Sequence, residues 1–170
     1  VRPYLAANAD NETNPFSLIN TFSFKDGVFI YIPDNCAVEE TLNLSFVTSL
    51  TEGKPEVFYP RILIILGKRA SASVVLTMSG VAGSRYFNNA DAQIHLGEGA
   101  RLNYSYVQRE SKEASSFLSN RYNLKKESAL NILSFTAGGA LIRNENHTVF
   151  TESSASASHK GLSVLSGESQ

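Results

Sequence analysis

The side chains of this chain best suited to chemistry are Cys36, His95, His147 and His159. Their spacing assembles no recognisable centre. The histidines form neither H-x-x-H nor H-E-x-x-H, the patterns that place two imidazoles on one metal. A thiolate-held metal centre normally takes several cysteines, so Cys36 could supply at most one ligand. At its turn position it reads as a small, partly buried residue. A nucleophilic centre needs Ser or Cys beside a histidine and an acid, yet no G-x-S-x-G occurs among the many serines. Gly97-Glu98-Gly99 runs into Ala100-Arg101-Leu102, so it is not the G-x-G-x-x-G of a dinucleotide site. No Walker A sequence exists. Cleaving a polysaccharide needs carboxylates along one face, whereas Asp91, Glu98 and Glu127 are scattered. Arg109-Glu110 and Arg143-Asn144 are expected to tie a loop to the wall of the fold by charge-assisted hydrogen bonds, with partner contact as the other reading. No catalytic, cofactor-binding or metal-binding residue is expected in this chain.

The elements that carry these residues repeat. Phe29 to Ile32, Ile62 to Leu66 and Ile94 to Leu96 are apolar strands. Each is followed by a short turn (Pro33 to Cys36, Gly67 to Arg69, Gly97 to Gly99), then an alanine and a second strand. Segments 122–132 and 149–157 keep the alanine and lose the glycine. The repeat alanines are Ala37, Ala70, Ala100, Ala129 and Ala155, and the interval between them shrinks at every step. A drifting period of this size, roughly 20–50 positions, marks a stacked repeat. With strands in every repeat and no helical periodicity, the expected fold is all-β: a β-solenoid, or parallel β-helix, with at most one short N-terminal helix. Each turn needs a residue at φ > 0, expected at Asn35, Gly67 and Gly97. The alanines are expected to point inward at tight corners.

Hydrophobic residues make up 42% of the 170, enough for a core, and the net charge is −1. That balance gives no pull toward nucleic acid or an anionic membrane. Lys68-Arg69 and Lys125-Lys126 are read as solvated surface. One cysteine excludes an internal disulfide and favours a reducing compartment. The longest apolar run, Ile62 to Gly67, is far short of the ~20 residues that span a bilayer. No signal-peptide pattern opens the chain, so a cytoplasmic location is expected. Residues 1–15 are expected to be irregular, and 16–170 to form a single β-helix domain cut short at its C-terminal end.

Asn14-Pro15 reads as a helix start. Phe16, Leu18, Ile19 and Phe22 would line one face of a helix covering the open end of the solenoid. Residues 48–59, 79–85 and 109–116 read as loops between turns. Leu102, Tyr104 and Tyr106 alternate with Asn103 and Ser105, as in a half-buried strand. Asn131, Ser134, Ser156, Ser158 and Ser163 could bond along a ladder of stacked coils. A hexapeptide-repeat acyltransferase would need a six-residue period that is missing. A purely structural filament is the remaining β-helix alternative.

Several blocks, in order, resemble the SufB/SufD family of iron–sulfur cluster assembly proteins, SufD more than SufB. They are Asn20-Thr21-Phe22-Ser23-Phe24-Lys25-Asp26-Gly27 running on to Pro33, with Val38-Glu39 after it; Pro60-Arg61-Ile62-Leu63-Ile64; Tyr86-Phe87-Asn88-Asn89-Ala90; Gln108-Arg109-Glu110-Ser111; and Gly138-Gly139-Ala140-Leu141-Ile142-Arg143-Asn144-Glu145-Asn146. Together they cover about residues 16–166. The resemblance implies a right-handed parallel β-helix. It also implies a non-catalytic, SufD-like scaffold subunit, partnered by a SufB-like β-helix paralogue and a SufC-like ABC-type ATPase. The complex, not this fragment, would handle the iron–sulfur cluster. The family's N-terminal helical region is expected here only as a remnant. The contact surfaces for SufB and SufC, and the His and Cys positions tied to SufD function, would lie beyond Gln170. A carbohydrate-active β-helix lyase or hydrolase is the alternative.

Overall fold

The computed structural model describes residues 14–49 and 56–167. The irregular segment expected at the N-terminus lies almost wholly outside them, as does the middle of the 48–59 loop. One helix, α1 (Pro15–Ser23), precedes the strands β1 (Gly27–Ile32), β2 (Ala37–Thr48), β3 (Glu56–Phe58), β4 (Arg61–Leu66), β5 (Ser71–Gly80), β6 (Tyr86–Leu96), β7 (Arg101–Glu110), β8 (Ser115–Leu124), β9 (Ala129–Gly138), β10 (Leu141–Phe150) and β11 (Ser156–Val164). The strands form two parallel sheets. The first has the order β1-β4-β6-β8-β10, with β3 also on β6; the second has the order β2-β5-β7-β9-β11. The chain alternates between them and climbs one strand each time, which makes a β-solenoid of about four turns.

Coils stack residue on residue. Ile30, Ile64, Ile94, Tyr122 and Thr148 are successive register partners in the first sheet. The coils shorten from each to the next, yet the positions stay aligned. Inward rows supply the core: Ile62, Ile64 and Leu66 from β4, Val74, Leu76 and Met78 from β5, and Leu102, Tyr104 and Tyr106 from β7, all at most 1% exposed. Each such aliphatic side chain contributes roughly 1.5–3 kcal/mol by leaving water. β4 is buried on both faces, as its continuous apolar run requires. Pro60 separates β3 from β4 because it has no N–H for the ladder; its carbonyl still accepts from Asp91 N, at 3.0 Å.

The first corner, from the first sheet to the second, is one four-residue turn repeated. Cys36 N bonds Pro33 O, Ala70 N bonds Gly67 O, Ala100 N bonds Gly97 O and Ser128 N bonds Lys125 O, at 3.0–3.3 Å. Its positive φ falls on Asn35 (59°), Arg69 (52°), Gly99 (68°), Glu127 (56°) and Ser154 (63°). Asn35 is as expected; Gly67 and Gly97 are not the left-handed residues. They are glycine for another reason, the closeness of the coil before. A Cβ on Gly67 would lie 2.6 Å from Asp34 N, and one on Gly97 2.8 Å from the Gly67 carbonyl carbon.

The small corner column is also shifted in two coils. The residues that stack are Cys36, Ala70, Ala100, Ser128 and Ala155. The carbonyls of Cys36, Ala70 and Ser128 accept from Ser71, Arg101 and Ser156, and that of Ala100 accepts from Ala129. Ala37 and Ala129 stand one position later. One position before the left-handed residues runs Asp34, Lys68, Glu98, Lys126, and beside the last of these Glu152, a column of alternating sign. Lys68 donates to Asp34 Oδ1 through its backbone N (2.7 Å) and to Glu98 Oε2 through Nζ (3.2 Å), and Lys126 N donates to Glu152 Oε2 (3.1 Å). The basic pairs are therefore solvent-facing, with Lys68 and Lys126 tied into this column.

The stretch 109–116 is not a solvated loop. Arg109 and Glu110 close β7, Ser111 to Ala114 make a tight turn (Ala114 N to Ser111 O, 2.9 Å), and Ser115 opens β8. Likewise Ser79 and Gly80 end β5, and the turn proper is Val81 to Ser84. Of the residues expected to bond along a ladder, Asn131 does so: it donates to Asn103, and Asn103 to Ser73, at 3.1 and 3.3 Å on the outside of the second sheet, whereas Ser134 turns inward to His159.

Ala100 is fully buried in the corner column. Ala100→Leu is expected to cost about 1–3 kcal/mol by overpacking, read as a lowered urea midpoint. Ala155→Leu, at the half-buried end of the column, should cost clearly less. Equal effects would mean that the column does not limit side-chain size.

Candidate functional site

Behind the second corner, where β5, β7 and β9 return to the first sheet, the solenoid interior turns polar. Glu110 points inward, 6% exposed, and receives the Tyr86 hydroxyl on Oε2 and Asn88 Nδ2 on Oε1 (3.3 Å). Ser111 N donates to the same Tyr86 oxygen at 3.2 Å. Burial and the Glu110 carboxylate both push the Tyr86 phenol well above the ordinary tyrosine range, so it remains the donor. Gly80 leaves room for the hydroxyl: a Cβ there would fall 1.9 Å from it. Gly138 lets the next coil come down on Glu110, whose carbonyl oxygen would be 2.2 Å from a Cβ.

A second set continues one step deeper. Gln108 is fully buried; its Nε2 donates to Ser116 Oγ (3.3 Å), and its Oε1 accepts from Asn144 Nδ2 (2.6 Å) and Thr136 (3.4 Å). A third set crosses the lumen. The Tyr122 hydroxyl donates to Asn146 Oδ1 (3.1 Å), Asn146 Nδ2 donates to the Tyr106 oxygen (3.2 Å), and Ser134 Oγ meets His159 Nε2 at 3.2 Å. These groups are chiefly amides and hydroxyls, with one carboxylate. They can hold neighbouring coils in place and offer neutral hydrogen-bonding partners; they present no paired acid and base.

On the outer face of the first sheet a further polar group holds α1. Asn14 caps the helix by accepting from Phe16 N, as expected. The helix lies across β6 and β8, however, and not over the open end. Its buried residues are Ser17 and Asn20, while Ile19 and Phe22 face solvent at 45% and 83% exposure. The reason is the surface it meets: Asn89, Asp91 and Arg61 offer polar groups, so a polar face docks. Asn20 donates to Pro60 O and Asn89 O, Asn89 donates to Phe16 O, and Arg61 Nη1 donates to Asn20 Oδ1 and Thr21 Oγ1, all at 2.7–3.0 Å. From the expected apolar stripe, Phe16 packs edge-on to Phe117 and Phe87.

Asp91 lies beside this group, 3.7 Å from Arg61 Nη2. Burial is the largest influence on its carboxyl and pushes it above its ordinary value of 3.8, while Arg61, Ser17, Arg121 and Gln93 pull it back. Glu98 and Glu127 stand elsewhere, at the first corner beside Lys68 and Lys126. The three carboxylates are thus not a row.

The histidines are also separate. His95 and His147 are on the outer face of the first sheet, on β6 and β10, and His159 is on the lumen side of β11. Burial lowers the His95 pKa, and His147 lies 3.9 Å from Glu145. Cys36 is a half-buried free thiol in the corner column, packed against the core. Among the described residues no three His, Cys, Asp or Glu side chains gather where one metal ion could be held. Of the two polar pairs singled out in the sequence, Glu110 and Asn144 are internal ties. Arg109 faces solvent, and Arg143 pairs with Glu145 on the outer face. Gln108 and Asn146 fall in the blocks that resemble the family; Asn120 does not, and only its period-2 placement between Leu118 and Tyr122 marks it as a lumen residue.

Residues 47–170 match the family model described as SUF system FeS cluster assembly, SufBD core domain, and residues 1–44 match the SufBD protein N-terminal region. The N-terminal match takes in α1, β1 and part of β2. Two curated proteins are similar to the chain. The iron–sulfur cluster assembly SufBD family protein slr0076 of Synechocystis sp. is 24% identical over 173 residues, which cover 96% of this chain and 38% of that protein. Protein ABCI7, chloroplastic, of Arabidopsis thaliana is 24% identical over 137 residues, which cover 78% of this chain and 29% of that protein. The chain thus spans well under half the length of either relative. No solved structure matches it significantly.

Two measurements test the site. Tyr86→Phe removes a donor from buried Glu110 and an acceptor from Ser111 N–H, and should cost about 1–3 kcal/mol in a denaturant titration; an unchanged midpoint would show that the tie carries no stability. Asp91→Asn tests the raised carboxyl. A raised acid binds its proton more tightly in the folded state, so wild type should lose stability relative to the variant as pH rises from about 3.8 through the raised value. A difference that moves the other way would mean that Arg61 outweighs burial.

Proposed function

Because this chain belongs to the SufBD family of iron–sulfur cluster assembly proteins, we propose that its parent is a SufD-like, non-catalytic scaffold subunit in a complex that builds and hands on such clusters. One observation carries the scaffold reading. The residues that bear the family likeness are taken up in holding coils together: Asn20 and Arg61 at α1, Tyr86, Asn88 and Glu110 at the second corner, and Gln108, Asn144 and Asn146 in the lumen. A chain whose distinctive polar groups bond one another is built to keep a shape. In this reading a SufB-like β-helix paralogue is the partner and a SufC-like ABC-type ATPase supplies ATP hydrolysis, both through parts of the parent outside this chain. The cluster is cargo of the assembled complex.

Among the described residues no helix is long and apolar enough to cross a membrane. We place the complex in a reducing compartment: the cytoplasm, or the chloroplast interior if this chain follows the relative whose name gives that location. The carbohydrate-enzyme alternative gains nothing from the placement of Asp91, Glu98 and Glu127.

Affinity purification of the full-length parent from its native cells under anaerobic conditions, with mass spectrometry of what co-elutes, tests the proposal. The expected result is recovery of an ABC-type ATPase together with a second β-helix subunit. Recovery of the parent alone, repeated at low salt, would overturn the complex-subunit reading.

A further inference from the structure

The lumen of the coil formed by β7 and β8 contains polar atoms that the protein does not satisfy. Asn120 is fully buried, and neither its Nδ2 nor its Oδ1 has a hydrogen-bond partner. Tyr104, 1% exposed, has a hydroxyl in the same state. The two face one stretch of lumen. Asn120 stands two residues before Tyr122 on the same strand face, and the Tyr122 ring lies 6.2 Å from that of Tyr104. Three such polar atoms without partners in one place are unusual for a native interior. Each is destabilising while unmade.

The residues stacked on Asn120 do not satisfy it. Asn120 stacks between Ala92 of the preceding coil and Asn146 of the next. Asn146 is committed on both amide atoms, to Tyr122 and Tyr106. On the other side Ala90 and Ala92 are fully buried and end at Cβ, whereas the next inward positions of β6 are Ile94 and Leu96. The lumen therefore narrows less beside Asn120 than one step along. The surrounding inward groups are aliphatic, amide or phenol. Burial holds the Tyr104 and Tyr122 phenols protonated by raising them far above the ordinary range. Nothing here balances a charge, so an occupant must be neutral, small, and both donor and acceptor.

We propose that this stretch of lumen is a binding site for buried water, which accepts from Asn120 Nδ2, donates to Asn120 Oδ1 and bonds the Tyr104 hydroxyl. Internal water of this kind typically makes about three hydrogen bonds to polar groups that lack other partners. It would join the Asn120–Tyr104 pair to the adjacent Tyr122–Asn146–Tyr106 set, and give the lumen a hydrogen-bonded filling where the aliphatic core gives out.

A high-resolution crystal structure of the full-length parent tests this directly. The expected result is solvent density within about 3.2 Å of an Asn120 amide atom and of the Tyr104 oxygen. A lumen without density there, or a direct Asn120–Tyr104 bond, overturns the proposal. A double-mutant cycle with Asn120→Leu and Tyr104→Phe gives a second reading by chemical denaturation. Shared water predicts that the two changes are not additive, with the double variant's folding constant at least about twofold from the product of the single effects. Additive changes would overturn a shared site. Should Asn120→Leu fail to fold, oxygen-17 relaxation dispersion on the unaltered protein still decides: long-lived internal water supports the site, and its absence rejects it.

Discussion

Every residue of the solenoid wall lies about 4.8 Å from its counterpart in the coil before and the coil after. That spacing is the constraint from which most of the sequence follows. Like charges at this distance would repel along an entire column, so Asp34, Lys68, Glu98, Lys126 and Glu152 alternate in sign. The hydrogen bond from the Lys68 ammonium lowers the Glu98 carboxyl's pKa. Two bulky side chains cannot share a corner, so Cys36, Ala70, Ala100, Ser128 and Ala155 are all small. A Cβ at Gly67 or Gly97 would strike the coil beneath, so no side chain is present. Where amides stack on the outside, as Asn103 on Asn131, they bond each other up the ladder.

The same constraint decides what can be read from the sequence. The repeat, the parallel sheets and the alternation of Leu102, Tyr104 and Tyr106 follow from apolar periodicity, and they appear as expected. The alanines mark the corners to within one residue because alanine tolerates both the column position and the position after it. Ala37 and Ala129 follow the column, and Cys36 and Ser128 occupy it, a difference that composition does not encode. The left-handed position is hidden for a similar reason. Glycine is the usual signal for positive φ, but here Arg69, Glu127 and Ser154 adopt it, whereas Gly67 and Gly97 answer to a neighbouring backbone that is distant in sequence. The helix is legible from its cap, Asn14, and its face is not. Helical spacing favours burying Phe22, and only the polar surface of β4 and β6, far along the chain, turns Ser17 and Asn20 inward.

The candidate site is legible only as family likeness. Gln108-Arg109-Glu110-Ser111 looks like an exposed charged run, and its composition suggests a loop. In the strand, alternate residues reverse that reading: Gln108 and Glu110 enter the lumen while Arg109 stays outside. Tyr86, Gly80 and Gly138 explain Glu110 by donating to it or by making room beside it. All three belong to other coils of the solenoid or other strands of the same one, so no local window of sequence contains the reason.

A polar lumen has a use in a scaffold that an aliphatic one lacks. Shifting one coil by two residues against the next returns every inward side chain to the inside, so a lumen of Ile, Leu and Val penalises the slip only through shape. The polar ties do not survive that shift. Gln108 would leave Ser116 and Asn144, Asn146 would leave Tyr122 and Tyr106, and buried groups would be left without partners at about 1–3 kcal/mol each. Coils that shorten at every step give no length signal for alignment, and yet β7, β8, β9 and β10 stay in register along their full paired lengths. The register shift between paired strands comes instead at Ala37–Thr41, in the coil whose inward side chains from β1 and β2 are chiefly aliphatic. Hydrophobic burial closes this solenoid, and the buried amides and phenols select which residue sits on which.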